Sequence, residues 1–189
     1  MLKRVVDRTF NCMSIDTDTS TSDTVVLMAN GLLGKVNLSR FEKGLLEVSE
    51  YLTKEIARTG EGATKLIAVD VIGAKNSAQA KRVAKSVVNS PLVKTAVYGC
   101  DPNWGRVIMA VGKTFDPAVD PAKVTINFGG TNVFKKGTPV DCDLDALRKY
   151  LGQPEVTIEV SLGIGKAGAR VWGWDLTEGY IKENAYYTT

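Results

Sequence analysis

The chain has no histidine among its 189 residues. That excludes a Ser-His-Asp or Cys-His centre within it, and the usual zinc and haem ligand sets. Cysteine is scarce as well: Cys12, Cys100 and Cys142 are far apart, odd in number and in no CxxC pair. They fit a reducing compartment better than a disulfide framework or a zinc site. No apolar run approaches the roughly 20 residues of a membrane span. The opening MLKRVVDRTF has neither the apolar core nor the cleavage site of a secretory signal. A formal net charge of +3 is too small to imply a nucleic-acid partner by itself. With 44% apolar and 24% charged residues, the composition is that of a soluble globular protein with enough chain for a real core. Any catalysis must use carboxylates, hydroxyls, lysines, amides or backbone groups.

The most unusual stretch is Ser14 to Gly31. From Ser14 to Thr24 every residue except Ile15 is Ser, Thr or Asp. This half suggests either a hydrogen-bonded network beside a core or a surface loop of Asx and Ser/Thr turns. Val25 to Ala29 then run apolar into Asn30-Gly31, which predicts a buried strand closed by a turn.

The other elements follow from periodicity. Leu2 to Phe10 reads as the end of a helix. Asn37 to Arg58 is the clearest helix, with Phe41, Leu45, Val48, Leu52 and Ile56 on one apolar face. Ser39 and Glu42 read as its capping box, a Ser cap being typically worth ~0.5–2 kcal/mol, and Gly60 as its stop. Leu66 to Ile72 is a strand, and Asn76 to Asn89 a helix with Ala80, Val83, Ala84, Val87 and Val88 inward. The opposite face carries Lys81, Arg82 and Lys85, with Lys75 and Lys94 nearby, and reads as solvated. Ser90-Pro91 ends that helix. Asp101-Pro102-Asn103 has turn chemistry, followed by a short helix over Val107 to Val111, with Trp104 as a core or interface anchor. Val124 to Phe128 and Thr131 to Phe134 pair across Gly129-Gly130. Asp143 caps a helix bearing Leu144, Leu147, Tyr150 and Leu151. Val156 to Leu162 alternates as a strand, with Ala169 to Trp174 as its antiparallel partner.

Few motifs carry chemistry. Gly163, Gly165 and Gly168 match G-x-G-x-x-G, but a strand follows where a dinucleotide site needs a helix, so a glycine hairpin is the better reading. Asp16, Asp18 and Ser20 begin like a calcium loop, yet Thr21 stands where Gly is required and Leu27 where the last acid belongs. Glu61 lies between Gly60 and Gly62, where backbone can approach a ligand and a carboxylate can hold an ammonium. Taken alone, it reads as a solvated turn residue. The tail from Asp175 to Thr189 holds Tyr180, Tyr186 and Tyr187 and reads either as docked or as part of a pocket that includes Asn184 and Thr189.

Six segments, in order along the whole chain, carry a resemblance: DRTFN at Asp7, SIDTDTSTSDT at Ser14, EGATK at Glu61, NSPLVKTA at Asn89, GCDPNWGRV at Gly99 and the ending DLTEGYIKENAYYTT. Together they resemble the β chain of the ornithine acetyltransferase, or bifunctional glutamate N-acetyltransferase, family. The resemblance implies an α+β fold, a mixed layered α/β sandwich. Residues 1–64 would form part of an N-terminal layer of the acyltransferase core, and residues 65–189 a C-terminal α/β domain.

It also implies a precursor that cuts itself before a threonine into α and β chains assembled as an α/β hetero-oligomer. That threonine takes acetyl from N-acetylornithine and passes it to glutamate. Its own α-amine can act as the base, so no histidine is needed. The expected compartment is the cytoplasm, or the mitochondrial matrix in a eukaryote. Glu61, Asn184 and Thr189 match family substrate-binding positions for small amino-acid substrates. No metal, bound cofactor, nucleic acid or membrane partner is implied, and acetyl-CoA enters only as a possible acetyl donor. DPNWGR is a family signature to which no role is carried over. The family's nucleophilic threonine lies before DRTFN and before the helix that this sequence enters midway, so it is expected upstream of Met1. Thr9, Thr17, Thr19, Thr21 and Thr24 are internal. No catalytic residue is therefore expected in this chain, and the oxyanion hole is expected from the α chain. The alternative is a non-catalytic remnant that binds an amino acid or a partner chain.

Overall fold

A computed structural model describes residues 1–18 and 21–186. Its centre is a mixed sheet, six-stranded among the described residues. The strands are β1 (Leu66–Ala74), β2 (Thr125–Phe128), β3 (Thr131–Lys135), β4 (Thr138–Pro139), β5 (Glu155–Ser161) and β6 (Ala167–Trp174), in the order β4-β3-β2-β5-β1-β6. Strand β1 runs parallel to β5 and antiparallel to β6. Its almost unbroken apolar sequence follows from that central place, with Leu66 to Val69, Val71 and Ala74 buried.

Among the described residues seven helices flank the sheet: α1 (Leu2–Val6), α2 (Leu38–Arg58), α3 (Ser77–Val88), α4 (Pro91–Tyr98), α5 (Trp104–Gly112), α6 (Leu144–Leu151) and α7 (Glu178–Tyr186). Helix α3 lies on β1 and β6 and buries Ala80, Val83, Ala84, Val87 and Val88, the face expected from spacing. Asp143 caps α6 by accepting from the amides of Asp145 and Ala146. The β2–β3 pairing also forms as expected. The fold is α+β and layered.

Five local expectations are corrected. Helix α1 is shorter than expected. It spans Leu2–Val6, with the Met1 carbonyl accepting from the Val5 amide at 3.2 Å, and closes after Val6 instead of reaching Phe10. Val25 to Ala29 is not a strand; segment 21–36 has no regular pairing, and Val26 and Met28 are 67% and 88% exposed. Helix α2 is capped by Asn37, whose side chain accepts from the Arg40 amide at 3.0 Å, so Ser39 falls inside the helix. Glu42 instead takes both Arg4 nitrogens, at 2.9 and 2.7 Å. Ser90-Pro91 does more than end α3. Ser90 caps α4 by accepting from the Val93 amide, and Pro91 supplies the preset φ of a first helical turn. Finally, β6 does not pair with β5. The Gly163–Lys166 connection passes over the end of β1, where the Gly73 carbonyl accepts from the amides of Ile164 and Gly165 at 2.8 Å. Strand β1 thus lies between the two strands, and the match to a glycine hairpin fails.

The signature at Asp101 is structural in this chain. Asn103 caps α5 by accepting from the Arg106 amide, and its Nδ2 donates to Asp101. Trp104 stacks on Phe134 with ring centroids 4.8 Å apart, and Arg106 donates to the Leu92 carbonyl at 2.8 Å. The motif therefore starts one helix, anchors it on β3 and ties it to α4.

Candidate functional site

The antiparallel register sets Leu66 opposite Trp174. The residues just before β1 and just after β6 must therefore meet. Asp175, fully buried, accepts from the amides of Thr64 and Lys65 at 2.9 Å each and from the Thr64 hydroxyl. Two residues on, the Thr177 hydroxyl donates to the Gly62 carbonyl at 2.6 Å and accepts from the Tyr180 amide at 3.1 Å. These bonds hold the turn that carries Glu61 against the start of α7.

Both flanking glycines are needed for that approach. A Cβ on Gly60 would run into the Trp174 ring. One on Gly62, at φ +64°, would run into the backbone of Gly179 and Tyr180. Glu61 and Asn184 are thereby brought together: Asn184 Nδ2 donates to Glu61 Oε2 at 2.8 Å and to the Tyr180 carbonyl at 3.0 Å. Thr189, the third expected site residue, lies outside the described residues.

The chemistry of the pair follows from what it leaves open. A primary amide has two N–H donors, and both are occupied. The Asn184 carbonyl and the second Glu61 oxygen make no hydrogen bond among the described residues. Two acceptors side by side, one of them charged, suit an ammonium group. Asp16 lies close by, accepting from the Tyr180 hydroxyl at 3.4 Å. Burial, then the negative charges of Asp16, Glu61 and Asp18, hold the Tyr180 phenol above its usual pKa. Tyr180 is thus a neutral donor among carboxylates.

The pair lies on open surface. Two cavities among the described residues lie elsewhere: one of about 330 Å³ at Asp101, Trp104, Cys142 and Arg148, the other of about 430 Å³ at Arg8, Glu50, Lys81 and Trp172. Glu61 and Asn184 line neither of them.

Spacing does not point to Lys94, Asp16 or Asp175. Lys94 reads from sequence as a neighbour of a solvated basic face, yet it is only 5% exposed. The available signal is its place beside Val93, Ala96 and Val97, the buried apolar residues of α4.

Sheet, helices and the carboxylate–amide pair define a layered α+β chain with an exposed Glu61–Asn184 contact beside the start of β1. The chain belongs to the ArgJ family, whose model matches residues 1–189. Glutamate N-acetyltransferase Oat2 of Streptomyces clavuligerus is 55% identical over 194 residues, covering 100% of this chain and 49% of that protein. Arginine biosynthesis bifunctional protein ArgJ 2 of a Nostoc species is 52% identical over 190 residues, again with 100% and 49% coverage. The crystal structure of Arginine biosynthesis bifunctional protein argJ from Bacillus halodurans matches with a TM-score of 0.94 and 42% identity, over 98% of this chain and 91% of that one. The chain spans about half the length of the curated relatives it matches.

Proposed function

We propose that this chain is the β part of an acyltransferase of arginine biosynthesis, moving acetyl from N-acetylornithine to glutamate through an acetyl-threonine intermediate. The observation that carries the reading is the exposed pair: Glu61 and Asn184, 123 residues apart in sequence, meet at 2.8 Å, with two acceptors free among the described residues. Glu61 and the Asn184 carbonyl hold the ammonium of the amino-acid substrate, and Thr189 is a further substrate-binding residue. The nucleophilic threonine, upstream of Met1, and the oxyanion donors come from outside residues 1–189.

In the proposed reaction the threonine hydroxyl attacks the acetamide carbonyl while its proton passes to the free α-amine. The tetrahedral intermediate expels ornithine, and the resulting ester is taken by the amine of glutamate. The acetyl group arrives on a substrate, so no bound cofactor enters. The partner is the α chain, in an α/β assembly. The exposed apolar residues of segment 21–36 and of the outer face of α2 support that reading, because so much exposed apolar surface fits an interface.

The test is acetyl transfer from N-acetylornithine to glutamate, by this chain alone and by the chain produced with the remainder of the family polypeptide. Turnover is expected only in the second case. There Glu61→Gln should lower kcat/KM by ~10–100-fold, the worth of one charged hydrogen bond. No turnover in either form would leave a chain that binds an amino acid or a partner without catalysis. Turnover by the chain alone would place the nucleophile within it.

A further inference from the structure

Among the described residues, Lys94 and Asp175 are the buried charged side chains. Asp175 is explained by the two amides and the hydroxyl it receives. Lys94 is not explained by packing, since an alkyl side chain of similar length would fill its place on α4 without a charge to desolvate.

Its contacts lead to the candidate site. Lys94 Nζ donates to the Ile15 carbonyl and sits 5.5 Å over the Trp174 ring, the ring beneath which Gly60 passes. The next residue, Asp16, accepts from its own turn, at the Asp18 amide, and from the Tyr180 hydroxyl. Tyr180 supplies the carbonyl to which Asn184 donates, and Asn184 holds Glu61. On the other side, the Lys94 carbonyl accepts from the Leu176 amide, next to Asp175. Lys94 thus reaches both segments that frame the Glu61–Asn184 pair.

We propose that Lys94 is a positioning residue of the amino-acid site: by donating to the Ile15 carbonyl from its place over the Trp174 ring it fixes Asp16, and through Asp16 the tyrosine from which Asn184 and Glu61 are set. The proposal rests on that pair being the substrate wall. The electrostatics agree with the placement. Burial lowers the Lys94 pKa, while Asp16 and Asp175, the facing carboxylates, act to raise it.

The test uses Lys94→Met and Lys94→Arg in the assembled two-part enzyme. Lys94→Met should raise KM for N-acetylornithine by ~10-fold or more with a smaller change in kcat, because a displaced binding wall weakens substrate contacts. Lys94→Arg, which keeps a donor over the ring, should recover most of the loss. Hydrogen exchange on the chain gives an arm independent of turnover. Lys94→Met should speed exchange at 14–18 and in α7 and leave β1 and β5 unchanged. An unmoved KM, equal loss of protection across the whole sheet, or unchanged exchange at 14–18 and α7 would each overturn the proposal. An assembly inactive in the wild type as well, with the exchange pattern as expected, would refute the acetyltransferase reading and uphold the link from Lys94 to the pair.

Discussion

Two helices flank the same sheet and differ in what they turn towards it. Helix α3 presses its alanines and valines against β1 and β6 and leaves Arg82 exposed, with Lys81 and Lys85 half-buried at its flanks. Helix α2 does the reverse. It sets Ser49, Thr53 and Ala57 inward, at four-residue steps, and leaves Phe41, Val48, Leu52 and Ile56 at least 38% exposed. Segment 21–36, before it, is exposed along its whole length, with Leu32 and Leu33 among its apolar residues. The small inward stripe lets α2 lie close to the sheet, while the apolar stripe is offered to something else. An amphipathic pattern shows that a face is meant to be covered; it does not say by what.

The largest expected effect tests this contrast directly. Ile158→Ala, in the buried centre of β5, should cost about 2–5 kcal/mol in urea unfolding. Leu52→Ala should change the stability of the same chain by less than about 0.5 kcal/mol, as at an ordinary surface position. If the two cost the same, α2 buries its apolar face and the asymmetry is lost. A smaller effect sharpens the join between β1 and β6. Asp175→Ala should cost about 1–3 kcal/mol in thermal unfolding, because two backbone amides lose their acceptor, and it should release the Glu61 turn in the same step.

Most of the sheet layer is legible in the sequence because its signals are local. Five of the six strands fall where alternation or an apolar run marks them, and α3, α5 and α6 begin near polar caps. Strand order is not legible in that way. The pairing of β6 with β1 is decided by a glycine connection passing over a strand end, and nothing between Gly163 and Gly168 distinguishes that path from a hairpin. The strand expected at Val25 fails for another reason: its apolar residues need a partner that the described residues do not provide. The meeting of Glu61 with Asn184 is accessible only through the family resemblance, since it depends on a register 110 residues apart, between Lys65 and Asp175. Lys94 is misread whenever charge stands as a sign of exposure.

The cap of α2 offers a finer test. Asn37→Ala should cost about 0.5–2 kcal/mol. Ser39→Ala, inside the first turn, should cost less than about 0.5 kcal/mol. Equal costs would restore the cap to Ser39 and shift the start of the helix.

The smallest effect concerns the contact that joins the two sides, Lys94 to Ile15. Burial depresses the lysine below its ordinary value of 10.5. Below its folded pKa the ammonium is charged in both states, and the full cost of desolvating it weighs on the fold. Between the folded and unfolded values the unfolded chain binds more protons, so stability must rise with pH through that window and level off above it. Urea midpoints of the wild type and Lys94→Met, compared from neutral pH to about 10, should therefore diverge in favour of the wild type. Parallel curves would mean that the ammonium keeps its water and that the 14–18 turn is joined to the sheet only through the Ser14 and Met13 backbone contacts with Trp172.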